Sequence, residues 1–331
     1  MTGKRVLGLD IGGANLKAAD GRRRALNRSF PLWKTPNDLG DRLRELIGEY
    51  PETTELAVVM TGELCDCFAT KAEGVAHIVR QVYEASKLPT RYWTTDGAFI
   101  SDQAAIAEPE RVAAANWHAL AAYAGQFAEQ QSALLLDIGS TTTDIIPIAQ
   151  GKPASLGRTD PERLRSAELV YTGVRRTPLC AIFGLEKAAE FFATMDDVYL
   201  LLDETTEKPK DTDSADGRPR TRKHAHARIA RMECDDTKGF TIEQAVALAE
   251  HARDRQLTYL AFALQRVLSR SSPMPKLVVT SGEGEFLAPS ILARASLGRT
   301  PRRSLADELG PSASSAACAF AVCMLASEAG R

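Results

Sequence analysis

Two hydrophobic periods run along the chain. Residues 6–11 (VLGLDI) form a short apolar run that stops at paired glycines, the signature of a buried strand entering a tight turn. Residues 38–49 repeat their apolar positions every three to four residues, which predicts a helix. Residues 55–60 (ELAVVM) predict a buried strand ending at Thr-Gly-Glu. A helix is expected over 73–87, a strand over 91–96, and a long helix over 109–129 with Pro109 in its first turn. Strands alternating with helices predict a mixed sheet with helices on its faces.

The second half follows the same plan. Residues 144–149 complete a hairpin begun at 134, and 160–167 form a short polar helix or turn. A helix is expected over 185–194 and a strand over 198–203. Residues 204–228 are polar, rich in Thr, Asp, Lys and Arg, and predict a long excursion. A long helix follows over 241–269. The run 276–287 (KLVVTSGEGEFL) reads as strand, turn and helix, and 312–329 as a helix of small residues that can pack closely on a neighbour.

An internal repeat organises these elements. Residues 6–17 (VLGLDIGGANLK) match 133–144 (ALLLDIGSTTTD). The separation is too long for a solenoid and suits a duplicated unit whose copies open with the same hairpin. This predicts a first domain over 1–130 and a second over 131–310, with the C-terminal helix 311–331 packing back on the first. In each copy an Asp ends a buried strand and glycine-rich backbone follows it. Such backbone offers N–H groups to phosphate oxygens, while a carboxylate there suits magnesium. The expected metal ligands are Asp10 and Asp137. The expected phosphate binders are Gly12, Gly13, Asn15, Gly139, Ser140, Thr141 and Thr142, with Gly282 and Gly284 in the SGEG turn.

Composition narrows the function classes. Forty-one basic residues against 43 acidic ones leave a net charge of −2, which argues against a general nucleic-acid binder. No run approaches the roughly 18 apolar residues that a membrane span needs. The start lacks the apolar core of a secretory signal, so a cytoplasmic location is expected. The six cysteines are too few for a disulfide scaffold and lack paired zinc spacing.

Three polar clusters add candidate chemistry. Residues 61–75 (TGELCDCFATKAEGV) follow a buried strand, so Glu63, Asp66 and Lys71 should emerge at its carboxyl end. Residues 157–178 gather arginines suited to anions, Arg158 and Arg175 among them. The basic stretch 213–232 carries His224 and His226, too few ligands for a metal site. His77, His118 and His251 stand alone in helical segments, and Trp93 and Trp117 suit the core.

The twin hairpins with SGEGEF near the end resemble the superfamily of acetate and sugar kinases, heat-shock chaperones and actin. The resemblance implies an α/β fold of two duplicated ribonuclease H-like domains enclosing a central cleft. A narrower resemblance rests on DIGGANLK (10–17), TGELCDCFATKAEGV (61–75), AAANWHALA (113–121), LLLDIGSTTTDIIPI (134–148), TDPERLRSAELVYTGVRRTP (159–178), FFATMDDVYL (191–200) and ADGRP (215–219). These blocks are similar to the hydantoinase/oxoprolinase-related group linked to tetrahydromethanopterin-dependent one-carbon transfer. That resemblance implies a transferase of methanofuran-type cofactor biosynthesis. It would join an aminomethylfuran-methyl diphosphate to a phenol such as γ-glutamyltyramine and release diphosphate with Mg2+. Glu63, Asp66 or Asp144 would take the phenol proton, and Lys17, Lys71, Arg158 and Arg175 would contact anionic groups. The partners expected are small molecules, with no nucleic acid and no membrane; a homodimer stays open. Two other readings share the phosphate-binding features: an ATP-dependent kinase or oxoprolinase-like enzyme, and a nucleotide-switched actin-like assembly protein.

Overall fold

The structure, a computed structural model, describes residues 5–22, 24–128 and 130–329. Gly330 and Arg331, the end of the expected C-terminal helix, lie outside the described residues, as do 1–4, Arg23 and Glu129. The first sheet is built from β1 (Val6–Ile11), β2 (Asn15–Ala19) and β3 (Ala25–Ser29), then, after α1 (Leu39–Gly48), β4 (Glu55–Met60). Helix α2 (Lys71–Ala85) leads to β5 (Thr90–Trp93) and β6 (Phe99–Ile100). Helices α3 (Asp102–Ala107), α4 (Pro109–Val112) and α5 (Asn116–Gly125) complete this half.

The second sheet opens with β7 (Ala133–Ile138), β8 (Thr143–Ala149) and β9 (Lys152–Pro153). Then come α6 (Asp160–Ser166), β10 (Leu169–Val170), α7 (Leu179–Phe183), α8 (Met195–Leu201), α9 (Arg222–Met232) and α10 (Ile242–Leu268). The chain closes with β11 (Leu277–Ser281), α11 (Ala288–Arg294), β12 (Arg302–Ser304), α12 (Leu305–Ser314) and α13 (Ala317–Glu328).

Strand order carries the expected duplication into three dimensions. The first sheet runs β3-β2-β1-β4-β5-β6 and the second β10-β8-β7-β11-β12, with β9 also paired to β8. Each sheet therefore holds an antiparallel hairpin whose first strand is joined in parallel to the next crossover strand (β1 to β4, β7 to β11). The expected fold class holds. Three apolar cores divide the interior. One lies under α1 and α2, one under α8, α10 and α11, and a third fills the space between the sheets. The shared core joins Val6 and Val59 of the first sheet to Leu135 and Val279 of the second, with Trp117 of α5 and Phe320 of α13. Helix α13 packs directly on β1, β4 and α5. Its Ala319 carbonyl lies so close to Gly8 that any Cβ at Gly8 would overlap it.

Several local readings need correction. The apolar run 198–203 is not a strand but the end of α8. Thr194 and Asp197 form a capping box there, and α8 is buried all round, so no periodicity survives to identify it. The helix expected over 185–194 is absent; a 3-10 turn at Gly184–Glu186 is followed by irregular backbone. The single helix expected over 109–129 breaks after Val112, because Ala113 is extended and Ala114 takes a left-handed φ of 49°. The strand expected over 91–96 ends at Trp93. The C-terminal helix is two helices bent by 103°.

The polar excursion is ordered, and its last part is helical as α9. Arg220 pairs with Asp196 and, at 3.1 Å, with Asp211, while fully buried Arg228 bonds Asp197 at 2.8 Å and Asp216 at 3.0 Å. Burial pushes the Asp197 carboxyl up to about 6 even beside Arg228. Among the described residues, no single helix is long and apolar enough to cross a membrane. All six cysteines are free thiols.

Candidate functional site

The two hairpins converge on one floor. Asp10, the last residue but one of β1, sits opposite Lys17 on β2, and the two side chains pair at 3.4 Å. Asp137, the last residue but one of β7, sits opposite Asp144 on β8. Partial burial works against the Lys17 charge, but Asp10 and Asp137 more than offset it and raise its pKa. The buried Cys318 thiol of α13 lies in the field of all four groups, and burial pushes its pKa well up. Asn116, at the start of α5, reaches that sulfur at 4.0 Å.

Electrostatics separate the carboxylates. Burial, reinforced by Asp144, pushes Asp137 up to about 7, although the Ser281 hydroxyl and Lys17 oppose the shift. Burial also raises Asp144, against the pull of Arg163. Arg163, 1% exposed, pairs with Asp144 and with Asp160 at 3.1 Å. Its guanidinium lies 4.1 Å over the Trp117 ring, so α6 below the second sheet is fastened to α5 of the first half. Asp10 keeps one buried oxygen, Oδ1, with no partner among the described residues.

The turn backbone explains the glycines. Gly12 N–H closes the first turn on the Asn15 carbonyl at 3.0 Å, and Gly139 N–H closes the second on Thr142 at 2.8 Å. These two N–H groups are therefore spent, contrary to the expectation that they receive phosphate. Among the described residues, the N–H groups of Gly13, Ala14, Ser140, Thr141 and Thr142 in the two hairpin turns, and of Gly282 in the third turn, have no backbone acceptor and are left to bind an anion. Gly282 is required by its φ of +92°, and a Cβ there would reach within 2.8 Å of Asp137 Oδ1. Gly284 spends its N–H on the Ile138 carbonyl at 2.8 Å, so it packs the turn on β7 rather than offering a donor.

The second polar cluster places its residues unequally. Glu63 follows β4 and is 2% exposed, with Oε2 lacking a partner among the described residues. The backbone N–H groups of Glu63 itself and, to a lesser extent, of Ala114 favour its ionised form. Burial pushes Glu63 up to about 7; Asp160 adds to that and Lys71 opposes it. Asp160 stands on α6, so Glu63 faces the second half across the cleft. Asp66, by contrast, is exposed, and Asp144 is tied to Arg163. Lys71 opens α2, 4.0 Å from Glu110.

The arginines differ as well. Arg158 is exposed at the loop before α6, and its charge helps hold buried His118 down at about 4, mainly a burial effect. Arg175 is held by Asp211 at 3.0 Å and Asp213 at 3.1 Å, while its backbone N–H donates to the Ser140 carbonyl at 3.0 Å. The lone histidines serve structure: His118 accepts from Trp93 Nε1 at 3.1 Å, and His77 meets the Pro36 carbonyl at 3.0 Å. Among the described residues no three His, Cys, Asp or Glu form a metal cage. Two carboxylates completed by substrate oxygens and water are the donor set that magnesium favours, and the partnerless Asp10 Oδ1 fits that role. Sequence reasoning passed over Cys318 and assigned Trp117 to the core alone. The small-residue character of α13 was the available signal for the first; nothing local marks the second.

The chain is similar to known proteins along most of its length. The chain is 31% identical over 332 residues, 97% of each chain, to (4-{4-[2-(gamma-L-glutamylamino)ethyl]phenoxymethyl}furan-2-yl)methanamine synthase of Methanocaldococcus jannaschii. It is 37% identical over 127 residues to the synthase of the same name from Methanococcus vannielii, covering 36% of this chain and 57% of that one. Among solved structures it resembles nucleotide-free acetone carboxylase, with a TM-score of 0.55 at 12% identity, covering 96% of this chain and 70% of that one. That likeness concerns the fold alone. The family model for hydantoinase/oxoprolinase matches residues 55–324. The chain belongs to the hydantoinase/oxoprolinase family.

Proposed function

We propose that the chain is a transferase of methanofuran-type cofactor biosynthesis that joins a furfuryl carbon to a phenol oxygen and expels diphosphate. The carrying observation is the convergence of two anion-ready hairpins beside a buried Glu63 whose Oε2 has no partner among the described residues, in a chain similar end to end to a synthase whose product is an aryl furfuryl ether. Forming such an ether from a phenol needs a leaving group on the furfuryl carbon, and the hairpins suit a diphosphate. The bond from that carbon to the diphosphate oxygen breaks, and its electron pair leaves with the diphosphate. The phenol oxygen forms the new bond, and its proton passes to the Glu63 carboxylate.

Each residue then has a part. The free N–H groups of Gly13, Ala14, Ser140 and Thr141 hold the diphosphate oxygens, and Lys17 adds positive charge from the first hairpin. Asp10 and Asp137 are the residues that would hold Mg2+, which when bound stabilises the charge developing on the leaving group. Glu63 is preferred over Asp66 and Asp144 as base, since Asp66 faces solvent and Asp144 is neutralised by Arg163. A pKa near neutrality suits a group that must be ionised to accept a proton and then release it.

Thermal-shift and calorimetric titrations with magnesium test the reading. Stabilisation by diphosphate and by the furfuryl diphosphate, without comparable stabilisation by ATP, supports it. A clear preference for ATP would instead favour an ATP-dependent enzyme on the same fold.

A further inference from the structure

Behind the second hairpin runs a buried polar seam. Gln256, mid-way along α10, is 0% exposed among apolar neighbours such as Ala252, Leu257 and Leu260. Its amide nitrogen donates to Thr172 Oγ1 at 2.8 Å and to the Gly173 carbonyl at 2.9 Å. Its oxygen accepts from the Tyr199 hydroxyl. The Thr172 and Thr177 hydroxyls meet at 3.0 Å, and Gly173 N–H donates to Thr177 Oγ1 at 2.9 Å.

The loop so held is the one that grips the hairpin. Val174 N–H donates to the Gly139 carbonyl at 3.1 Å, and the N–H groups of Arg175 and Arg176 converge on the Ser140 carbonyl at 3.0 and 2.8 Å. Gly173 approaches so closely that a Cβ would lie 2.6 Å from Ser140 C and Thr141 N. On its other side, the Tyr199 ring meets Phe286 edge-on with centroids 5.2 Å apart. Phe286 follows the turn that rests on β7 through Gly284. One amide thus ties the second hairpin to the third loop of the floor. A buried amide is costly unless its donors and acceptor are all engaged, and here both donors and the acceptor are.

We propose that Gln256 is the positioning residue of the diphosphate cradle: it seats the loop 172–177 against the second hairpin and so sets the spacing of the Ser140 and Thr141 N–H groups. Gln256 touches no reacting atom and acts through Thr172, Gly173 and Ser140. The proposal rests on the reading of the hairpins as a diphosphate site.

The test is the affinity of the full chain for inorganic diphosphate with magnesium, measured by calorimetry, in Gln256→Leu, Thr172→Val and the control Leu260→Ala. Leu260 is equally buried on α10 but lies outside the seam. Gln256→Leu is expected to weaken diphosphate binding by about tenfold or more, the scale typical of supporting-shell losses. Thr172→Val should weaken it by less. Leu260→Ala should lower the melting temperature yet leave the affinity near that of the wild type. If Gln256→Leu fails to fold, Tyr199→Phe, which keeps the ring and removes one bond, carries the test with a smaller loss expected. Folded seam variants that bind diphosphate like the wild type would overturn the proposal, as would an equal loss in Leu260→Ala. A wild type that binds no diphosphate would remove the hairpin reading itself, a different failure seen before any variant is made.

Discussion

Asp137 and Asp144 stand directly opposite each other across the second hairpin, where the first hairpin sets Asp10 opposite Lys17. The duplicated units therefore diverge at one matched position. In the first, the strand-end carboxylate is neutralised by its own hairpin. In the second, Asp144 needs Arg163 from α6, and Asp137 is left with a carboxyl pushed up to about 7. Asp137 thus faces a second carboxylate where Asp10 faces a cation.

Replacing either strand-end carboxylate should separate function from folding. Asp137→Asn keeps the shape and removes a charge that burial disfavours, so metal-free melting at pH 8 should be unchanged or higher. Diphosphate release in the presence of magnesium should be lost in both Asp137→Asn and Asp10→Asn. Intact release in both would refute the metal assignment.

Glu63→Gln should lower kcat by about 100-fold or more, the range expected for a general base. The wild-type rate should climb with pH through about 7 as Glu63 ionises. Burial sets this value, with Asp160 adding to it and Lys71 opposing it, and the climb should vanish in Glu63→Gln. An unchanged pH profile in that variant would assign the base elsewhere.

Stability should show the same burial from the other side. Glu63 and Asp137 are held near 7 and Asp197 near 6, all above the ordinary carboxylate range. Raised folded-state values mean that the folded chain holds more protons than the unfolded one between about pH 4 and 7. The stabilisation is full below about pH 4 and is lost as pH rises through 6 to 7. Melting in a chelating buffer should therefore fall over that window on account of these groups, and Asp137→Asn should flatten the fall. A melting temperature that rises by the same amount in wild type and variant would contradict this.

Arg163→Met should be costly although it keeps a long side chain. It leaves buried Asp144 and partly exposed Asp160 without their cation, and the buried Arg163–Asp144 pair alone sets a loss of about 3–5 kcal/mol. Denaturant unfolding measures it. The double variant Arg163→Met with Asp144→Asn should recover part of the loss, since one uncompensated charge goes with it.

Much of this was legible in the chain because hairpins announce themselves locally. Asp10 with Gly12 and Asp137 with Gly139 mark both strand ends, and the repeat alone pointed to two matching sheets. The shared core and the order of distant strands follow from packing, which no local pattern encodes. Residues 198–203 misread as a strand because a helix buried on every side carries no amphipathic stripe. The break at Ala114 was hidden because three consecutive alanines favour helix. Gln256 gave no signal at all, since a lone polar residue in a long helix resembles any surface position.

The most direct measurement is product formation by the purified chain with magnesium, an aminomethylfuran-methyl diphosphate and γ-glutamyltyramine, followed by mass spectrometry with parallel assay of diphosphate. The account predicts the aryl furfuryl ether and diphosphate in equal amounts, with no requirement for ATP. No ether from this pair or from other phenols, together with phosphate release from ATP, would contradict it.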